Sequence, residues 1–325
     1  MELGLTSFAE THVNPLTGDA LPHGERLRNV VTEIDMAASS PVVTLAAGAA
    51  CTKRIRLSSA VIVLSSADPV RTFQDFATLD LLSSGRAELM VGRGSFIESF
   101  PLFGYSLSDY DDLFSERLDL LLHLRDNEFA NWSGRFRAPL EGQPVYPRPY
   151  QDPLPVWIAV GGTPASIVRA GQLGLPVALA ISGGDAARFS VLADLYRRTL
   201  TQSGFDPADF PLAVHGLGHV ADDHDEAVEA IYPGFAATMT RIGRERGWPP
   251  LTRPQFDGMA SPGGSIVVGD PETVVAKILF WKEILGIERF MLHSAGNLSH
   301  AENLRSIELL GTKVSPLIGR NEAAS

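Results

Sequence analysis

Seven stretches of this chain read as strands, and most are apolar on both faces. They are ELGLTSF (2–8), IRLSSAVIVL (55–64), AELMVG (87–92), PVWIAV (155–160), PVALAIS (176–182), PLAVHGLGHVA (211–221) and RFMLHSA (289–295). A strand wetted on one face alternates apolar and polar residues, whereas one covered on both faces reads as a continuous apolar run, the mark of a parallel sheet. A helical pattern follows each strand sooner or later. The clearest are DPVRTFQDFATLDLLSSG, with Asp68 as cap, Pro69 in the first turn and Gly85 as stop, and PETVVAKILFWKEILG, stopped by Gly286. Such repetition predicts an α/β fold, either a (β/α)₈ barrel or a doubly wound sheet.

A barrel needs an eighth strand, and the opening stretch lacks one. In VTEIDMAASSPVV (31–43) a helix marked by Leu27, Val30, Val31 and Ile34 meets Ser39-Ser40-Pro41, which reads as the start of the next helix. No low-complexity linker divides the chain. The Pro-rich VYPRPYQDPLP (145–155) reads as a stiff loop, so residues 1–325 are expected to form a single domain.

Bulk properties exclude several functions. A formal net charge of −11 and a pI near 5.2 argue against nucleic acid as the main partner. Any anionic ligand must then be held by local donors. No apolar run approaches the roughly 18 residues a membrane helix needs, and MELGLTSF lacks the pattern of a signal peptide. The single cysteine, Cys51, cannot form an internal disulfide, which fits a reducing cytoplasm. Its setting in LAAGAACTKR predicts a buried structural thiol.

The most informative motif is VWIAVGGTPASIVRAGQLG (156–174). A buried strand ends in Gly161-Gly162, Thr163 caps a helix, and Pro164 fills its first turn. Glycines let a ligand approach the backbone, and the helix start favours an anion, with Thr163 and Ser166 able to add hydroxyl donors. The turn reads either as a phosphate cup or as an ordinary tight connection. In MVGRGSF (90–96), Gly92 and Gly94 bracket Arg93 at a strand end, where a guanidinium could meet a phosphate or an electron-rich ring; a glycine turn with a solvated arginine is the plainer reading. VHGLGHVA imitates the dinucleotide-binding G-x-G-x-x-A, but its glycines open no helix and no acidic residue follows about 20 positions on. The eight histidines offer no metal signature; His215, His219 and His224 look like a strand end and a solvated helix start.

In order and spacing, two longer pieces resemble the bacterial luciferase-like, flavin-dependent monooxygenases. They are TKRIRLSSAVIVLSSADPVRTFQDFATLDLLSSGRAELMVGRGSFIESFPLFGY and PVWIAVGGTPASIVRAGQLGLP, and the likeness runs from MELGLTSF to SIELLGTKVSPLI. The resemblance implies a (β/α)₈ barrel of the luciferase-like kind, with reduced FMN at the C-terminal strand ends and supplied by a separate flavin reductase. It implies oxygenation of a small organic substrate by O₂, and a homodimer. By the same resemblance, Ala60 and Val61 flank a non-proline cis peptide under the flavin ring. Gly92, Arg93 and Gly94 pass beside the flavin and its phosphate, and Gly162, Thr163 and Ser166 grip that phosphate, with Gly161 beside them among the cofactor-binding residues. Family members carry a second strand, with an acidic residue and one or two histidines, between their first two helices. Here roughly twenty residues are missing between Ala37 and Ala38, either omitted from the numbered sequence or deleted. That removes the usual catalytic histidine and leaves His12 and His293 as stand-ins. The alternatives are a flavin-binding protein without turnover and a deazaflavin-dependent oxidoreductase of the same fold.

Overall fold

The computed structural model describes residues 1–6, 41–94, 99–296 and 298–324. His12, Ala37 and Ala38, and with them the expected gap before the second helix, lie outside the described residues. The chain divides into two compact units. Of the described residues, 41–159 make up one, and 1–6 with 160–324 the other.

The 41–159 unit is built around strand β4 (Ala87–Gly92), all six of whose residues are buried. Three short strands run parallel to it: β2 (Leu57–Ser58), β3 (Ile62–Val63) and β7 (Val156–Val160). IRLSSAVIVL thus reads as one strand in sequence but is broken in space. Across the break Ser59 takes over the pairing with its side chain, donating to the Met90 carbonyl at 2.8 Å and accepting from the Met90 amide at 3.1 Å. The helix Pro69–Ser83 begins on Asp68, whose carboxylate accepts from the Arg71 amide at 3.0 Å. It ends on Ser84 at φ 58°, followed by Gly85 at φ 82°. Cys51 closes the helix Pro41–Cys51 and is exposed, which overturns its expected burial: at the last turn it faces outward instead of onto the neighbouring helix. An antiparallel hairpin, β5 (Phe129–Trp132) and β6 (Leu140–Pro144), escapes sequence analysis because its exposed residues show no clear apolar alternation.

In the larger unit β9 (Leu212–Val220) pairs in parallel with β8 (Val177–Ile181), β11 (Arg289–Ser294) and β10 (Ile266–Gly269), and β11 pairs with β1 (Glu2–Thr6). The imitation dinucleotide motif lies wholly within β9, and helix His224–Arg246 starts only after it. Its glycines answer to packing. A Cβ at Gly216 would meet Trp281 at 3.0 Å, and one at Gly218 the Val267 carbonyl oxygen at 1.9 Å. Helix Pro271–Leu285 begins on Asp270, which accepts from the Thr273 amide at 2.8 Å, and stops at Gly286 as its sequence predicts. Its Trp281 packs edge-on against Phe290 of β11, ring centres 5.7 Å apart. Among the described residues no helix is long and apolar enough to cross a membrane.

Candidate functional site

In the larger unit the turn after β7 brings Gly161, Gly162, Thr163 and Ser166 together at the head of helix Pro164–Gln172. Thr163 occupies the N-cap in extended conformation, but its side chain does not cap the helix. Pro164 at the first position has no N–H to satisfy, and the amide that follows has no acceptor within the helix. Gly162 lies at φ 114°, a backbone that favours glycine. A Cβ at Gly161 or Gly162 would meet no described heavy atom within 4 Å, so the space over the turn is open. Ser166, almost wholly buried, anchors the first turn, its amide donating to the Thr163 carbonyl at 3.1 Å. Open space, amides at the positive end of a helix and neighbouring hydroxyls make a cradle for an anion. The residues present fit a flavin's terminal phosphate.

In the 41–159 unit the peptide bond between Ala60 and Val61 is cis, and β3 lies directly beside β4, Val63 opposite Gly92. Close approach explains both glycines of MVGRGSF. A Cβ at Gly92 would stand 3.0 Å from a Val61 methyl, and one at Gly94, where φ is 81°, would stand 2.8 Å from a Val63 methyl. Arg93 is engaged locally: Nη1 meets Asp111 Oδ1 at 2.5 Å, and the guanidinium carbon lies 5.4 Å from the Tyr110 ring centre. Tyr110, whose hydroxyl donates to the Gly94 carbonyl at 2.7 Å, holds this turn from the other side. Burial raises the Tyr110 phenol above its usual range, with Arg93 opposing.

His293 sits near the C-terminal end of β11, buried, with Nδ1 3.1 Å from Thr6 Oγ1. Its ring centre is 5.1 Å from that of His215. His215 Nε2 is buried with no hydrogen-bond partner among the described residues, and burial pulls the imidazole down to about 4. His219 is buried within β9, and its pKa too is lowered by burial, with Glu302 opposing. The reading of these histidines as a strand end and a helix start holds: β9 ends one residue after His219, and the next helix begins at His224. The His215–His293–Thr6 cluster is not legible in the sequence, because three strands far apart in the chain must pair in register to assemble it. Among the described residues no group of three His, Cys, Asp or Glu side chains is placed to hold a metal ion.

The sequence profile of the luciferase-like monooxygenases matches residues 10–288, and the chain belongs to that family. Its structure is similar to that of the monooxygenase RslO1 from Streptomyces bottropensis, with a TM-score of 0.81, 22% identity, and coverage of 98% of this chain and 99% of that one. It is also similar to the FMN-bound oxygenating constituent of 3,6-diketocamphane monooxygenase from Pseudomonas putida (TM-score 0.76, 18% identity, 98% of each chain). A third likeness is to an F420-dependent secondary alcohol dehydrogenase, with a TM-score of 0.73, 16% identity, and coverage of 96% and 98%. The fold is therefore the α/β fold of the luciferase-like barrels, and the family includes both flavin- and F420-dependent oxidoreductases.

Proposed function

We propose that this protein is a monooxygenase that uses reduced FMN and O₂ to oxygenate a small organic substrate, the flavin arriving from a separate reductase. The observation that carries this reading is the open Gly161-Gly162 turn at the head of helix Pro164–Gln172, in a chain of this family. Its amides hold the terminal phosphate, and the Thr163 and Ser166 hydroxyls add donors. Charge-assisted hydrogen bonds of this kind contribute about 1.5–3 kcal/mol each. Ala60 and Val61 are assigned to the flavin ring, and Gly92, Arg93 and Gly94 to the flavin and its phosphate. In that assignment Arg93 acts through the Asp111 pair that fixes its turn. FMN, when bound, supplies the two electrons that activate O₂; the protein binds it, orients it and keeps water away. His293, hydrogen-bonded at Nδ1 to Thr6, is the candidate for holding a proton beside the reaction. A homodimer belongs to the same proposal, and sedimentation tests it separately.

The test is anaerobic loading with reduced FMN followed by mixing with O₂ in stopped flow. A protein that shields its flavin changes the reoxidation rate on the order of tenfold, which is 1.4 kcal/mol of barrier. Reoxidation that follows the time course of free reduced FMN would overturn the reading.

A further inference from the structure

Arg117, on helix Tyr110–Asp126 of the 41–159 unit, is 5% exposed and pairs with no carboxylate among the described residues. Nη1 donates to the Ser65 carbonyl at 2.7 Å and to the Leu64 carbonyl at 3.3 Å. The Tyr105 ring centre lies 4.3 Å from the guanidinium carbon. Other arginines of the unit are placed differently. Arg93 is matched by Asp111, and Arg135 by Asp109 and Asp112. Arg86 and Arg148 also donate to carbonyls, but to those of Ala49 and Leu124 in the last turns of helices Pro41–Cys51 and Tyr110–Asp126, where the helix dipole favours a cation. Leu64 and Ser65 end no helix.

Two carbonyls need only a neutral amide as their donor. A buried charge carries a desolvation penalty besides, which its surroundings must offset. The carbonyl dipoles and the Tyr105 ring offset part of it. The charge itself therefore calls for a reason.

Its position supplies one. Leu64 follows β3 directly, its amide donating to the Gly92 carbonyl at 3.1 Å, and Val63 pairs with Gly92. The helix that carries Arg117 also holds the next turn, through the Tyr110 hydroxyl on the Gly94 carbonyl and Asp111 on Arg93. One rigid element thus fixes the ends of β3 and β4, the two segments assigned to the flavin. Leu64 is three residues beyond Val61, at most about 10 Å along extended chain, which puts the guanidinium within about 15 Å of Val61. A unit charge at about 15 Å, across an effective dielectric of about 20, shifts an equilibrium that creates one negative charge about sixfold, and more at shorter range.

We propose that Arg117 is a positioning residue for the flavin: it fixes the turn after β3 and supplies an unneutralised positive charge that favours the reduced, anionic flavin over the oxidised form. This rests on the flavin reading above. Two electrons from the reductase and one proton leave the flavin ring with one negative charge, which the guanidinium offsets.

The test is anaerobic titration of the full chain with oxidised FMN and with FMN reduced by dithionite, together with the midpoint potential of the bound flavin. The unmodified chain binds reduced FMN about sixfold or more tightly than oxidised FMN. Arg117→Gln keeps an amide donor for the Ser65 carbonyl but removes the charge, so the preference falls about sixfold and the two-electron potential by about 23 mV. Arg117→Lys keeps the charge without the planar fork, and the preference survives. A purely structural arginine would lower thermal stability in both variants and leave the potential unmoved. The proposal is overturned if the unmodified chain binds both forms equally, if folded Arg117→Gln keeps the full preference, or if folded Arg117→Lys loses it. The first of these needs no variant, so a substitution that fails to fold does not shield the proposal. Failure of the flavin reading looks different. Neither form of FMN then binds and the proposal falls with it, whereas FMN binding without the charge effect removes the role of Arg117 alone.

Discussion

Replacing Gly161 by alanine separates the cradle's role in binding from any role in folding. Gly161 has no left-handed φ, unlike Gly162 at φ 114°, and its added Cβ meets no described atom within 4 Å. Alanine therefore fits the backbone without strain or clash. By narrowing the unfolded ensemble it should leave stability unchanged or raise it by about 0.4–1 kcal/mol. The methyl group would stand in the open space above the turn, where the phosphate has to approach the amides. Displacing the anion from one charge-assisted hydrogen bond costs about 1.5–3 kcal/mol, or on the order of 10- to 100-fold in affinity. Quenching of FMN fluorescence gives the affinity, and urea denaturation of the same preparation gives the stability. Weaker binding at unchanged stability is the expected pair of results. Unchanged affinity for FMN would show that this turn holds no phosphate, whatever the family resemblance suggests.

Two further perturbations address the buried ionisable groups. His215 is held down to about 4, against 6.5 for a free imidazole, so between those values the unfolded chain binds the extra proton and the folded one does not. Stability therefore falls as pH drops from 6.5 towards 4, by up to about 3 kcal/mol from this group, with His219 adding in the same direction. His215→Met removes that share of the acid sensitivity, and denaturation midpoints measured across the range check it; an identical slope in the variant would contradict the assignment. Lys277→Met leaves the carbonyl oxygens of Ala260, Ser261 and the buried Ile266 without this donor and should lower stability by about 2–4 kcal/mol; a cost near zero in thermal unfolding would show that the Lys277 clamp is not needed.

The architecture was written in the sequence wherever strands are buried on both faces or helices carry their own stops. All seven expected strands have a counterpart, and Asp68, Asp270 and Gly286 begin and end helices as their residue types require. IRLSSAVIVL misled because composition records apolar residues and not the break at Ser59, where a hydroxyl replaces a ladder bond. β10 was missed for its brevity: four residues of strand preference cannot be told from a loop until β9 offers an edge. Of the candidate site, the Gly161–Thr163 turn was legible because its signal is local, a strand, two glycines and a helix start in succession. Gly92 and Gly94 were legible as special but not in their reason, since Val61 and Val63 come to lie against them only through parallel pairing across about thirty residues of chain. The engagement of Arg93 by Asp111 was invisible for a related cause: helix Tyr110–Asp126 must fold back before the carboxylate arrives.

Equilibrium titration of the purified chain with FMN and with F420 in parallel decides whether this member of the family is built for FMN. FMN should bind saturably at about one per chain, more weakly in Gly161→Ala, with F420 bound at least about tenfold less tightly. Tighter binding of F420 than of FMN, or no binding of FMN at all, would contradict it.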